Sequence, residues 1–274
     1  MTSPRLLVIE NGTETIEFGK YKARESFEID DASPLYDEIS FPATLRHIKA
    51  DAFYGQKNVK EIILNEGLET LDPKALDFCD GLTRLYLPSS LRSFDINRFM
   101  AHPNLESIDV GDLSPILYSD GGVLYNKDKT VLLCYPSARK IKRYRILSSC
   151  AEIAPAAFFG VSYLEELIFP SGIKKIGHNA FAYSRSLHCL KFPKGLQEID
   201  DFAFKASAVN QVYLPRSLKK LGSELFREDI FDGVMKTPLE VHLGMSRSMF
   251  YSKFTMQYTY DFPEKTTYLE NQDW

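Results

Sequence analysis

The sequence lacks the features that mark most membrane, nucleic-acid-binding and nucleotide-dependent proteins. No apolar run approaches the roughly 18 residues that a membrane-spanning helix requires. The formal net charge of −4 is not the basic footprint of a nucleic-acid binder. The sequence contains no GxxxxGK[ST] phosphate loop, and no GxGxxG motif follows a predicted strand. It therefore predicts no nucleic-acid partner and no insertion into a membrane.

Residues suited to metal binding or nucleophilic catalysis are also scarce. The four cysteines, Cys79, Cys134, Cys150 and Cys189, form no CxxC pair, and the five histidines form no HExxH motif. We interpret the cysteines as reduced thiols that pack as small apolar side chains. The sequence thus predicts no metal, no cofactor and no catalytic residue.

What the sequence does contain is a repeat with a period of 23 residues, clearest in residues 167–187. Apolar residues two apart, such as Ile62 and Leu64 or Leu167 and Phe169, place both side chains on one face of a short strand. A proline often follows and ends the strand, because it has no N–H to donate. A period of this length is typical of a solenoid.

Each repeat continues with two apolar residues three apart and then a small–aromatic pair, such as Ala180-Phe181 or Ala203-Phe204. We expect the small residue to allow a tight turn, and Phe181 and Phe204 to be buried and stacked one coil apart. One unit cannot bury its own apolar edge, whereas stacked units bury a continuous one. The pattern predicts a strand-dominated, α/β-type leucine-rich repeat solenoid.

These repeats resemble the BspA-type leucine-rich repeat, whose consensus is LxxIxIPxxVxxIGxxAFxxCxxL. Residues 120–136, DGGVLYNKDKTVLLCYP, resemble an insertion that recurs between repeats of that family. The resemblance covers about residues 39–243 and implies a right-handed solenoid of bacterial surface or adhesin-like proteins, with no catalytic motif. The sequence departs from the consensus at the cysteine, which only Cys79 clearly keeps, and at the glycine, kept at Gly177 and Gly222.

The predicted organisation is one structural domain in three parts. Residues 1–38 are expected to form an N-terminal cap, a hairpin whose turn is Asn11-Gly12. Residues 39–243 form the solenoid, with an insertion at about 112–147. Residues 244–274 form an aromatic C-terminal cap, with a frayed tail, because a solenoid end exposes core side chains that need cover.

The insertion is predicted to be a β-hairpin. Residues 123–125 and 131–135 are strand-like, and the polar residues 126–130 form a turn between them. Residues 139–145, RKIKRYR, follow with five positive charges. We interpret this run as the solvated flank of a strand, with a site for an acidic partner as the alternative.

The candidate binding residues lie between the inward-facing positions of the strands, so that they point out from a concave face. Exposed Ile and Tyr are what a protein-binding patch uses, yet solvent-facing strands favour such residues in any case, and both interpretations stay open. Tyr86 and Tyr213 are the expected anchors. The predicted partner-binding residues are Ile63, Arg84, Tyr86, Asp109, Ile168, Lys191, Tyr213 and His242.

The sequence therefore predicts a non-enzymatic protein-interaction or adhesion module, a monomer that binds a host matrix or surface protein. The alternative is a carbohydrate-binding protein or an enzyme with a site near the inserted hairpin. The resemblance favours a secreted or cell-surface location. The N-terminus is not a signal peptide, so the protein is cytoplasmic if Met1 is the native start.

Overall fold

A three- or four-residue strand followed by a shorter strand recurs along the chain. A computed structural model describes residues 4–23, 34–72, 74–94, 102–226, 239–254 and 266–270. The chain divides into unit 1, residues 1–127 and 136–138, and unit 2, residues 128–135 and 139–274. Both units are strand-dominated leucine-rich repeat solenoids.

Unit 1 contains two series of strands, each paired in parallel. The strands of the first series form two ladder sheets, β1–β3 and β5–β7–β8. The shorter strands of the second series form the flank sheet β2–β4–β6. The bounds are β1 Leu6–Val8, β2 Thr15–Ile16, β3 Glu38–Ser40, β4 His47–Ile48, β5 Glu61–Ile63, β6 Thr70–Leu71, β7 Arg84–Leu87, β8 Ser107–Val110, β9 Leu117–Asp120 and β10 Val123–Asn126.

Unit 2 repeats this arrangement. Its ladder sheets are β12–β14 and β16–β18–β20–β21, and its flank strands β11, β13, β15, β17 and β19 pair in that order, all in parallel. The bounds are β11 Val131–Cys134, β12 Arg143–Arg145, β13 Glu152–Ile153, β14 Glu166–Ile168, β15 Lys175–Ile176, β16 Cys189–Lys191, β17 Glu198–Ile199, β18 Gln211–Leu214, β19 Lys220–Leu221, β20 Glu240–Leu243, α1 Arg247–Phe254 and β21 Thr267–Glu270.

The turns after β15 and β17 differ in one respect from the prediction. Asn179 has a φ of 55° and Phe202 a φ of 56°, so the left-handed residue is the one before the alanine. Ala180 is fully buried, and the backbone N–H of Phe181 donates to the carbonyl of Ala203 in the next coil at 2.8 Å. The small residue is therefore required by the close approach of the next coil, and its predecessor makes the turn.

An aromatic column forms the core of unit 2. Its rings come from successive coils, and each stacks on the next with interplanar angles between 17° and 26°. The predicted burial and stacking of Phe181 and Phe204 is confirmed, with centroids 6.0 Å apart. The column consists of Tyr135, Phe158, Phe181, Phe204 and Phe226.

The predicted N-terminal hairpin is wrong. Strands β1 and β2 do not pair with each other, since β1 pairs in parallel with β3 and β2 with β4. Gly12 does make a turn, with a φ of 93°, but this turn joins the two strands of a coil. Leu7 and Ile16 are buried as the inward residues of that coil, which draws the two strands into different sheets. A capping role for residues 1–38 stays a prediction.

The predicted strands at residues 123–125 and 131–135 are present as β10 and β11, with a turn at residues 127–128 between them, and another hairpin precedes them. Strand β9 pairs antiparallel with β10, and Gly121 and Gly122, both with positive φ, connect them. Strand β11, which the sequence assigned to the same hairpin as β10, pairs in parallel with β13 in unit 2. That this segment is an insertion into the repeats stays a prediction.

The C-terminal region adds one helix and one strand. Helix α1 buries Phe250 and Phe254, in line with the expected aromatic packing, whereas Tyr258, Tyr260 and Phe262 lie outside the described residues. The tail predicted to fray contains β21, which extends the ladder sheet from β20. Among the described residues, no helix has the length and apolar character that crossing a membrane requires.

Candidate functional site

The eight predicted binding residues fall into two groups, one in each unit. We call the outward side of the ladder strands the ladder face of that unit. Strand alternation explains this placement, because the residues between inward-facing ones must point away from the core. The unit 1 ladder face holds Ile63, Arg84, Tyr86 and Asp109, and the unit 2 ladder face holds Ile168, Lys191, Tyr213 and His242.

On the unit 1 ladder face, three of the predicted residues are direct neighbours. The strand register pairs Ile63 with Tyr86 and Tyr86 with Asp109. Ile63 is 60% exposed, although it belongs to a regular parallel ladder. With Glu61 and Arg84 these side chains border a shallow cavity of about 140 Å³. The structure thus brings an exposed aliphatic side chain, an aromatic ring and a carboxylate together.

Carboxylates dominate the charge around Tyr86. The Tyr86 hydroxyl donates to Glu66 Oε1 at 3.5 Å, and Ser107 Oγ donates to Asp109 Oδ2 at 2.9 Å. Burial raises the pKa of Tyr86, and the negative charges of Glu66, Asp112 and Asp109 raise it further. The guanidinium of Arg84 is engaged by Glu61 of the preceding coil at 3.3 Å. The environment of the Tyr86 ring is therefore acidic.

On the unit 2 ladder face, Tyr213 is enclosed by residues of its own chain. Its ring stacks on that of His242, with centroids 3.9 Å apart, and the ammonium of Lys191 lies 4.9 Å from its centroid. Next to the stack, Gln211 Nε2 donates to Glu240 Oε2 at 2.9 Å. Glu240 Oε2 also lies 3.6 Å from His242 Nε2.

The expectation that His242 faces solvent is wrong. Its register position is the predicted outward one, opposite Tyr213, but it is only 8% exposed. Strand β21 pairs on the far side of β20 and sets Leu269 opposite His242. The His242 ring thus stacks on Tyr213 on one side and has Leu269 in register on the other, which leaves little of it exposed.

Ile168 and the basic run lie at the other side of the unit 2 ladder. Ile168 pairs in register with Arg145 on β12. Arg143 Nε is 3.1 Å from Glu166 Oε2, and Lys142 Nζ is 2.9 Å from Glu165 Oε1. Two of the five positive charges in residues 139–145 therefore have acidic partners on the next coil. This agrees with the interpretation of the run as a strand flank.

Sequence reasoning missed Leu6 and Val8, which belong to the unit 1 ladder face. Val8 lies opposite Ser40 in the register and is 63% exposed, and Leu6 lies opposite Glu38. Residues 6–9 are all apolar, so the sequence has no alternation there that would separate inward-facing from outward-facing side chains. A further cavity of about 430 Å³ in unit 2 is bordered by Lys194, Arg216 and Met249 among others.

The described residues contain no group of three or more His, Cys, Asp and Glu side chains that could hold a metal ion. Burial raises the pKa of Cys79 to about 12 and that of Cys150 to about 11, so both free thiols remain protonated at neutral pH. A thiol that stays protonated is a poor nucleophile, which fits a packing role for these two side chains.

Comparison with known proteins identifies the repeats. A family model described as BspA type Leucine rich repeat region matches in six copies, over residues 32–119 and 133–234. The solved structure of the pneumococcal vaccine antigen PcpA is similar, with a TM-score of 0.64 and 17% identity over 98% of this chain and 90% of that one. No curated protein matches the sequence at a significant level.

Two further solved structures share the fold. A leucine-rich repeat protein from Eubacterium ventriosum has a TM-score of 0.64 and 16% identity, over 97% of this chain and 66% of that one. A leucine rich cell surface protein from Faecalibacterium prausnitzii has a TM-score of 0.53 and 18% identity, over 91% of this chain and 62% of that one. At these identities the similarity shows the fold alone.

Proposed function

The chain belongs to the BspA-type leucine-rich repeat family, and from this we propose that it is a non-enzymatic module that binds a protein partner through its ladder faces. The observation that carries the proposal is the exposure of Ile63 beside Tyr86 on a rigid parallel ladder. The fold alone supports many functions, so the argument rests on these side chains. Aromatic and aliphatic residues grouped on a surface are the usual anchors of protein interfaces.

The backbone beneath this surface supports the same conclusion. The N–H of Leu64 donates to the carbonyl of Tyr86 at 3.2 Å, which fixes the two strands against each other. Side chains on fixed strands lose less conformational freedom on binding than side chains on loops, so more of the contact energy remains as affinity. With Val8 and Leu6 two strands away, the unit 1 ladder face offers several exposed apolar side chains to one partner.

A cell-surface role in adhesion is part of the proposal. The Faecalibacterium prausnitzii structure is named as a cell surface protein, and PcpA is named as a vaccine antigen. Both share the fold of this chain over more than nine-tenths of its length. The partner we propose is accordingly a host matrix or surface protein.

The test is a binding screen with purified matrix proteins, cell-surface proteins and glycans. We expect a protein ligand whose affinity falls by about 1 kcal/mol or more, about fivefold in Kd, on Ile63→Asp or Tyr86→Ala. Phe18→Asp is the matched control, because Phe18 is 69% exposed in unit 1 but lies outside the ladder strands. Circular dichroism would establish that each variant keeps its fold.

Two results would overturn the proposal. If the protein ligand binds the Ile63 and Tyr86 variants as tightly as the wild type, the partner docks elsewhere. If only glycans bind, the carbohydrate-binding alternative replaces the proposal, and the segment from β9 to β11 becomes the region to mutate.

A further inference from the structure

Tyr86 and Tyr213 occupy equivalent positions on the two ladder faces but have different neighbours. In each case the tyrosine lies in register between one residue on the preceding strand and one on the following strand. For Tyr213 these are Lys191 and His242. The Lys191 ammonium lies 4.9 Å from the ring centroid, within the range of a cation–π interaction. Unit 2 thus supplies a cation to its own tyrosine.

Unit 1 lacks this cation. The residue equivalent to Lys191 is Ile63, and the one equivalent to His242 is Asp109. No lysine or arginine lies over the Tyr86 ring in the part of the chain that the structure describes. Arg84, the nearest basic residue on the same strand, forms an ion pair with Glu61. Among the described residues, no cation therefore covers the electron-rich face of this ring.

The carboxylates around Tyr86 favour a positively charged ligand. Glu66 accepts hydrogen bonds from the Tyr86 hydroxyl and from Ser89, and within the described ranges it forms no ion pair. Asp109 accepts a hydrogen bond from Ser107 and likewise has no ion pair there. Hydrogen bonds of this kind hold the carboxylates in place while leaving their charge uncompensated.

We propose that the unit 1 ladder face receives a lysine or arginine side chain of the protein partner on the Tyr86 ring. The partner would supply the cation that Lys191 supplies in unit 2. The aliphatic part of the incoming side chain would pack on Ile63, and its charged end would lie over the ring and near Asp109. This inference rests on the proposed function, since it names the chemistry of the partner at the same surface.

A pair of peptides tests the preference for a cation directly. The first is an acetylated and amidated hexapeptide of alternating serine and lysine, and the second carries norleucine in place of each lysine. Both are titrated into protein with ¹³C-labelled tyrosine, and Tyr86→Phe assigns the Tyr86 ring signals. We expect the lysine peptide to shift these signals and to bind about fivefold more tightly than the norleucine peptide, with the difference shrinking as salt is added.

A substitution that reproduces unit 2 tests the geometry. Ile63→Lys places a cation on the strand before Tyr86, where Lys191 stands relative to Tyr213. We expect Ile63→Lys to lower the affinity for the lysine peptide by about fivefold or more. The uncharged Ile63→Met should keep the wild-type affinity for this peptide within about twofold. Because Ile63 is mostly exposed, both variants should fold.

The results separate this inference from the proposed function. Equal binding of the two peptides, or equal effects of Ile63→Lys and Ile63→Met, would overturn the cationic ligand even if a protein partner still requires Tyr86. If the protein prefers the lysine peptide but the screen yields no protein ligand, the cation site is upheld and the proposed function is rejected.

Discussion

The rings of Tyr213 and His242 lie 3.9 Å apart between centroids, with their planes only 7° from parallel. Tyr86, at the equivalent position of unit 1, has Asp109 where Tyr213 has His242. Two tyrosines that the sequence pattern treats alike therefore differ in what they do for the fold. Tyr213 covers a buried imidazole, whereas Tyr86 remains available to a partner.

Because of this difference, we expect substitution of the two tyrosines by alanine to lower the free energy of unfolding by different amounts. Tyr213→Ala removes the stack on His242 and the contact with Lys191, so we expect the free energy of unfolding to fall by about 1–2 kcal/mol. Tyr86→Ala should cost less than about 1 kcal/mol, as surface substitutions usually do. Urea unfolding followed by circular dichroism measures both. Equal losses would mean that the stack contributes nothing beyond ordinary surface contacts.

The aromatic column of unit 2 gives a second prediction. Phe181 is fully buried and lies between Phe158 at 5.1 Å and Phe204 at 6.0 Å, so Phe181→Ala should lower the free energy of unfolding by about 3–5 kcal/mol. Phe18→Ala is the chemical control, because Phe18 is 69% exposed and should cost under about 1 kcal/mol. A small loss for Phe181→Ala in the same urea titration would show that neighbouring coils close the cavity.

The fold could be predicted because its information is local and repeated. Inward residues recur at fixed spacing, so a single period specifies the coil, the register and the column that contains Phe181 and Phe204. A departure from the consensus leaves the coil intact where the new side chain forms the same hydrogen bond. Cys79 Sγ donates to the carbonyl of Phe53 at 3.2 Å, and Ser184 Oγ donates to that of Phe158 at 3.0 Å in the same arrangement. Ser184 thus forms the same side-chain to backbone hydrogen bond as the cysteine at the consensus position.

Pairing between distant strands could not be predicted in the same way. Asn11-Gly12 correctly predicts a turn, but a turn dipeptide does not specify which strands pair, and β1 and β2 pair with the following coil. The burial of His242 depends on β21, which follows a long segment without the repeat. The ladder residues of each unit were predictable from alternation, whereas the enclosure of Tyr213 depends on side chains brought together by tertiary structure.

The turns of unit 2 predict the effect of two glycine exchanges. Gly160 has a φ of 67° and Ala206, at the equivalent position of another coil, a φ of 48°. A Cβ on Gly160 would meet no atom within 4 Å, so backbone strain alone decides the outcome. We expect Gly160→Ala to lower the free energy of unfolding by about 1 kcal/mol and Ala206→Gly to raise it by up to about 1 kcal/mol. Thermal and urea unfolding would measure both changes, and a stabilising Gly160→Ala would contradict this account.

The last prediction concerns acid. His102 in unit 1 is 6% exposed, and burial lowers its pKa from 6.5 to about 4, against a hydrogen bond with the Cys79 backbone that raises it. Between these two values the unfolded chain binds a proton that the folded chain does not. This histidine therefore leaves the free energy of unfolding undiminished above about pH 6.5. As the pH falls toward about 4 it lowers that free energy progressively, by about 3 kcal/mol in total.

A comparison of variants isolates this contribution from the titration of carboxylates. His102→Gln removes the titrating ring, so its free energy of unfolding should fall less than that of the wild type between about pH 7 and about pH 4.5. His188→Gln is the matched control, because it makes the same substitution at an exposed position and removes no buried ring. If His102→Gln follows the wild-type curve in parallel, the imidazole takes up its proton without leaving its buried site. The acid sensitivity of unit 1 would then have to be explained by its carboxylates.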